Sequence, residues 1–281
     1  MIIPTLDTVV MEALDLFVRT PPPALDLSRV SLPFVVGSGN ALNTGKILFS
    51  KQAAIFADES NFSQVVASYE SVIAKGLISE TFVISASGEK DSIWELELAK
   101  KMKLKTTLLT CKPKSTGAGI ADMVYTYKSI AEPYTYNTST YLGMILSSTG
   151  ENAQEIKKFI EGVTMFPNLD AYTSYAFVLP DAYLSVGPTV EIKGDELFGP
   201  HVMIRAFPQG HARHAKFVHP WEKELVITLG SKNTFFGHPS HRWDISLPPG
   251  SSFGAVIALT YYLCGLIQRV KPDYFMQHIE Q

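Results

Sequence analysis

The sequence predicts an α/β protein built on a five-stranded parallel sheet with helices on both faces, a three-layer sandwich. Three observations predict it. Short apolar runs alternate with stretches of helical spacing, the rhythm of parallel strands buried under crossover helices. A weaker version of the rhythm returns after Tyr175. With 281 residues, 46% of them apolar and 18% charged, the chain can also bury a large core.

The elements follow in order. Residues 6–18 set apolar and acidic letters at helical spacing, and Pro21-Pro22-Pro23 stops that pattern. Residues 34–36 form a strand that runs into GSGNALNTG and an apolar helix. Residues 53–57 form a short strand ending at Asp58-Glu59, and 62–75 a helix. Strands at 81–85 and 106–110 enclose a helix at 93–103, and 123–127 supplies a fifth strand. The tract EPYTYNTST precedes an apolar helix around 141–146, which Thr140 or Ser139 would cap. GENAQE then marks a break. The second half offers a strand at YAFVLP, a Gly/Pro turn, strands near 202–207 and 224–229, and a final helix. Three segments result: an N-terminal helical segment at 1–30, a domain at 31–150 and a divergent second domain at 151–281. No letter-level repeat links the two domains, so their relation rests on rhythm alone.

Composition excludes several classes. The formal charge of −3 is spread without long runs of one sign, which disfavours a nucleic-acid surface but leaves a small anionic ligand open. The first residues lack a basic region and carry Asp7, Glu12 and Asp15, unlike a signal peptide. The apolar tract at 254–267 falls short of the ~20 residues that span a bilayer, so it reads as a core helix with no membrane partner. Cys111 and Cys264 lie far apart without metal-type spacing. Free thiols in a reducing, cytoplasmic compartment are expected.

Two glycine turns carry the candidate chemistry. Gly37-Ser38-Gly39-Asn40-Ala41-Leu42 follows a strand, opens a helix and has Asp58 or Glu59 ~20 residues on, as a dinucleotide fingerprint requires. Leu42 stands where that fingerprint wants a third glycine, which ranks a nicotinamide site below a small-phosphate or sugar site. In the second turn, VISASGEKDS, Ser85 and Ser87 flank Ala86 and Gly88 allows close backbone approach. The helix that follows offers unpaired amides to an anion. Ser92 and Glu95 fit a capping box, which needs no ligand. Six of the seven histidines lie between His201 and His241. His211-x-x-His214 and His238-x-x-His241 have ligand-like spacing, but neither pair sits in a metal motif, so no metal is expected. Lys193-Gly-Asp-Glu196 supplies a carboxylate which, with a histidine, suits proton transfer between sugar carbons.

Together these stretches resemble the SIS family of sugar isomerase domains. FVVGSGNALNTG resembles the family's first glycine turn and VISASGEKDS its S-x-S-G-E/N-T phosphate loop. TLLTCKPKS resembles the strand and turn that follow, and EPYTYNTST the segment closing the sugar site. Lys193-Gly-Asp-Glu196 matches the K-x-x-E helix segment of two-domain members, and GHARHAKF resembles the region of the E-x-x-H-G-P histidine. The chain departs from the pattern at Lys90, which replaces a threonine in a loop one residue shorter. It departs again at His211 or Ala212, in the place of the motif's glutamate, and at Ala215-Lys216, which replaces Gly-Pro.

The resemblance implies a flavodoxin-like sheet, two such halves and a homodimer, often with the catalytic histidine donated across the dimer. It implies a phosphorylated sugar held by Ser85, Ser87, Gly88, Ser92 and the amides between them, with Thr110 adding a hydroxyl. Gly39, Asn40, Asn137 and Thr138 would contact the sugar. His214, with His211 as rival, would open the ring. Glu196 would move a proton between C2 and C1 through a cis-enediol(ate), with Lys193 neutralising the enediolate and Glu132 as alternative base. No cofactor is required. These residues contain no amidotransferase domain, which sets glutamine-dependent amination aside, while a deaminase, a deglycase or a non-catalytic phosphosugar sensor stays open.

Overall fold

Buried runs of β-branched and aromatic residues become the strands, and the stretches of helical spacing between them become the helices. The computed structural model describes residues 3–272, 274 and 275. The ends of the expected first and last segments, 1–2 and 276–281, lie outside them. In order, the elements are α1 (Leu6–Arg19), β1 (Phe34–Val36), α2 (Asn40–Leu48), β2 (Ile55–Ala57), α3 (Phe62–Ser68), α4 (Glu70–Ala74), β3 (Glu80–Ile84), α5 (Asp91–Lys101), β4 (Lys105–Thr110), α6 (Thr116–Ile120), β5 (Met123–Thr126) and α7 (Thr138–Thr149). The second half adds α8 (Ala153–Glu161), β6 (Ser174–Leu179), α9 (Gly187–Phe198), β7 (Met203–Pro208), α10 (Gln209–Ala212), β8 (Glu224–Leu229), β9 (Arg242–Ile245) and α11 (Phe253–Val270). The chain divides into two compact units, one of Leu16–Ala131 and Asn137–Gly150, the other of Met1–Asp15, Glu132–Tyr136 and Glu151–Gln281.

In the first unit five parallel strands pair in the order β2-β1-β3-β4-β5. Successive side chains of a strand point to opposite faces. Val35, Phe82, Ile84 and Leu109 pack on one side with Ala41, Phe49 and Met144. Phe34, Val36, Val83 and Leu108 pack on the other with Phe62, Leu96 and Ala99. Both faces are therefore helix-covered, which gives the three layers read from the sequence. The chain turns from β1 outward to β2 and then back across to β3. The carboxyl ends of β1 and β3 thus flank the switch point of the sheet, where open α/β sheets bind ligands.

In the second unit four parallel strands pair in the order β7-β6-β8-β9. Helix α9 packs on β7, and α11 packs on α8 and α9. The segment joining β7 to β8 forms only the four-residue α10, and β8 reaches β9 without a helix. Ala212 and Phe236, with Phe207 and Phe217, cover Ala176, Val178 and Val226 in place of full helices. Helix α11 is longer than its sequence suggested. By length and composition its 18 residues suffice to cross a membrane, but 83% of them are buried in the fold, as in a core helix. Close packing there depends on Gly265, where an added Cβ would lie 1.9 Å from the backbone nitrogen of Asp7.

Other expectations need correction. The helix read at 62–75 breaks at Tyr69, and α7 starts at Thr138 behind Asn137, whose φ of 44° is left-handed. Ser139 therefore lies inside the helix, accepting from the Ile130 amide at 3.2 Å instead of capping. Cys264 is buried and Cys111 half-buried, and among the described residues neither is in a disulfide.

Glu95 on α5 is 2% exposed, and its Oε1 has no hydrogen-bond partner. Burial, reinforced by the negative charge of Asp91, Glu59 and Asp58, pushes its carboxyl from 4.5 up to about 7. Between those values the folded chain holds a proton that the unfolded chain has released, so this group's contribution to stability falls as the pH rises. Glu95→Gln is expected to stabilise the protein by up to about 3 kcal/mol above neutral pH and to change little in mild acid. Urea unfolding across that range measures the difference, and a pH-independent effect of the substitution would refute it.

Candidate functional site

Strand β3 ends at Ile84, and the next six residues fold into a braced loop. The Ser85 hydroxyl accepts from the Gly88 amide at 3.0 Å, and that of Ser87 accepts from the Glu89 amide at 3.2 Å. From β4, the fully buried Thr110 donates its hydroxyl to the Ala86 carbonyl at 3.1 Å. The Cys111 amide reaches the same carbonyl. The Gly117 amide bonds the Gly88 carbonyl at 2.9 Å, and the Glu89 carboxylate accepts from the Thr116 amide at 2.9 Å. Gly88 has φ +65°, and a Cβ there would sit 2.2 Å from the Ser115 hydroxyl. Only glycine fits that turn.

Helix α5 then begins at Asp91 with no side-chain cap. The expected capping box does not form. The helix starts two residues earlier than a Ser92 cap allows, so Ser92 falls in the first turn and donates to the Glu89 carbonyl at 2.8 Å. Lys90 takes the cap position at φ 54°, ψ −124°, a conformation almost confined to glycine that costs a side chain on the order of 1–3 kcal/mol. Gly39 enters α2 through nearly the same conformation, φ 54°, ψ −119°. Ser92 and Thr110 thus brace the loop. The amides of Gly88 and Glu89 are likewise taken by serines. What remains for an anion is the pair of hydroxyl protons on Ser85 and Ser87 and the uncapped first-turn amides of α5. Lys90, Lys112 and Lys114 are exposed on the loop and its bracing segment and add positive charge.

The first glycine turn lies beside this loop: a Cβ on Gly37 would meet the Ile84 carbonyl at 3.0 Å. Close helix–strand packing, which the dinucleotide fingerprint assigns to its third glycine, occurs here at Gly45, whose Cβ would lie 2.6 Å from Val35. Asn40 is 8% exposed, and its buried Oδ1 has no hydrogen-bond partner. Asn137 and Thr138 sit at the head of α7, with Thr138 buried.

A second group forms on α9 and Glu132–Tyr136. Lys193 and Glu196, three apart on a helix, share one face. The Lys193 ammonium, on a side chain 1% exposed, bonds Glu196 Oε2 at 2.6 Å. It also donates to the Thr135 carbonyl and lies 5.5 Å from the Tyr261 ring centre. Burial raises the Glu196 pKa and the Lys193 charge opposes that rise. Burial lowers the Lys193 pKa, against the charges of Glu196 and Glu132. A buried ammonium tied to two oxygens holds Glu196 in place. Glu196 lines a cavity of about 310 Å³ with Tyr134, Thr135, Phe198, His201 and Tyr274.

The histidines expected to join Glu196 do not reach it within the chain. His211 and His214 follow β7, whereas Glu196 precedes it, and a six-residue strand spans ~20 Å. His201 escaped the reading of the sequence because no motif contains it. Gly199, at φ 52°, turns the chain back after α9, and a glycine just past an apolar helix was the available signal. His238 and His241 pair with each other, their ring centres 4.8 Å apart. Among the described residues no group of three or more His, Cys, Asp or Glu is placed to hold a metal ion.

No family model matches the sequence, and no curated protein sequence matches it. Solved structures do match in fold. The C-terminal domain of glucosamine-fructose-6-phosphate aminotransferase from Francisella tularensis superposes with TM-score 0.62 at 12% identity over 95% of this chain and 94% of that one. Tagatose-6-phosphate ketose/aldose isomerase from Escherichia coli gives 0.59 at 13% identity, covering 94% and 86%. Glucosamine-6-phosphate deaminase from Thermotoga maritima gives 0.54 at 12% identity, covering 94% and 90%. Over nearly its whole length, the chain has the fold of the sugar isomerase domains.

Proposed function

We propose that the protein binds a phosphorylated sugar and interconverts its aldose and ketose forms through a cis-enediol(ate). The observation that carries the reading is Glu196, a half-buried carboxylate on a cavity wall, held by Lys193 and made more basic by burial. Phosphate recognition falls to Ser85, Ser87 and the head of α5, and contacts to sugar hydroxyls to Gly39, Asn40, Asn137 and Thr138. Glu196 removes the proton from C2 of the open-chain aldose, and electron density moves onto O1 to form the enediolate. The same carboxyl returns the proton to C1. Lys193 is a positioning residue that keeps Oε2 directed, and Glu132 supplies charge that keeps Lys193 protonated. Likeness in fold to a ketose/aldose isomerase and to a deaminase supports enolisation of a sugar phosphate as the shared chemistry. A deaminase or deglycase would use the same first step.

The altered histidine motif, with Ala215-Lys216 in place of Gly-Pro, favours a second reading, a phosphosugar sensor without turnover. Deuterium exchange at C2 of glucose 6-phosphate and mannose 6-phosphate, and at C1 of fructose 6-phosphate, decides between the two. Isomerisation predicts exchange by the wild type and a loss of roughly 100-fold or more in Glu196→Gln. A sensor predicts a raised Tm with one of these sugars and no exchange. In both cases Ser87→Ala is expected to reduce the ligand-induced rise in Tm, and an unchanged rise would remove the phosphate loop from the account.

A further inference from the structure

The free edge of the second sheet carries backbone hydrogen-bonding groups that the fold does not use. Strand β9 ends the order β7-β6-β8-β9 and, among the described residues, pairs with β8 alone. The His241 and Ile245 carbonyls accept from the Val226 and Gly230 amides, so alternate residues from His241 onward face β8. Backbone groups alternate sides along a strand, which turns the N–H and C=O of Asp244 to the open edge. Among the described residues nothing bonds them.

A groove of about 410 Å³ runs beside this edge, with Trp243, Asp244 and Ile245 on one side and Lys158, Phe159 and Val163, from α8 and its exit, on the other. Its floor is apolar, since Trp243 and Ile245 are buried and Phe159 and Val163 half-buried. Lys158 is exposed and makes no ion pair among the described residues, whereas its neighbour Lys157 is held by Asp15. Natural sheets blunt an open edge with lysine, proline, a bulge or a covering segment. Strand β9 contains neither lysine nor proline, and Arg242 is turned back onto the Phe236 and Gly237 carbonyls at 2.8 and 2.9 Å.

We propose that this groove binds an extended segment of a partner protein, which adds a strand beside β9 and presents an apolar and an acidic side chain two residues apart. Alternate side chains of a strand share one face. The apolar one fills the space among Phe159, Val163, Trp243 and Ile245, and the acidic one meets the Lys158 ammonium. Strand addition takes its affinity from main-chain bonds and its specificity from pockets for alternate side chains. A second copy of this chain fits less well, because each β9 would bring its own α8 wall to the strand it must pair with. Pairing centred on Asp244 would also set two carboxylates opposite each other. The groove lies at the opposite edge of the sheet from β7, on which α9 and its Glu196 pack, so the inference stands apart from the function proposed above.

The probe is the synthetic peptide acetyl-TTVTETT-amide, titrated against the full chain while its backbone amide resonances are followed. Saturable shifts of Asp244 and its neighbours are expected. Binding should weaken roughly 10-fold when the peptide amides are N-methylated, which removes the main-chain bonds. It should weaken roughly 2- to 5-fold for acetyl-TTVTKTT-amide, which sets a lysine against Lys158. Lys158→Glu, a change at an exposed position, is expected to keep the wild-type Tm and to invert the preference between the two peptides. An Asp244 amide that stays still at millimolar peptide would overturn the inference, as would binding that survives N-methylation or a preference that Lys158→Glu leaves unchanged. Shifts at Asp244 that appear on raising the protein concentration without peptide would give the groove to a second copy and overturn it too.

Discussion

The unpaired amides at the head of α5 are the constraint around which the first unit is organised. A helix that starts directly behind a buried parallel strand cannot satisfy its first N–H groups from within itself. Here no side chain caps them. Ser85 and Ser87 spend their oxygens on the loop, Thr110 and Ser92 donate to its carbonyls, and Glu89 ties it to the first residue of α6. Neighbouring polar groups thus hold the loop's shape and leave the helix end open. Lys90 keeps a glycine-like backbone at that end, and conserving strain at such a point fits a loop shaped for a ligand.

The second unit has its own organising element in the ion pair of Lys193 and Glu196. An ammonium withdrawn from water costs several kcal/mol unless a partner compensates. Glu196, the Thr135 carbonyl and the Tyr261 ring provide that compensation. Each charge is perturbed by burial and restrained by the other, so the carboxylate gains proton affinity while staying oriented. A base for carbon acids needs both properties.

Much of the first unit was legible from letters because its strands are uniformly apolar and its glycine turns fall at strand ends. The helix after β3 was not placed correctly. Lysine is not expected in the φ 54° conformation, so Ser92 was read as the cap and Lys90 overlooked as one. Gly45 went unrecognised as the site of close helix–strand packing, since its contact with Val35 depends on the register of α2 against β1. Strand β9, RWDI, escaped because Arg242 and Asp244 interrupt its apolar letters. Helix α8 escaped because Asn152, read as part of a break, is its cap and accepts from Gln154 at 2.8 Å. In the second unit, histidine spacing drew attention to His214, while His201, on the Glu196 cavity, is placed by a glycine turn and a stack on Tyr274. Local spacing cannot report either.

The central claim, that the turn after β3 is built to hold a phosphate, is tested most directly by following backbone amide resonances during titration with glucose 6-phosphate. The account predicts that the largest shifts fall on Asp91 and Ser92, with Ser87 and Lys90 beside them. Saturable shifts elsewhere while those amides stay still would contradict it.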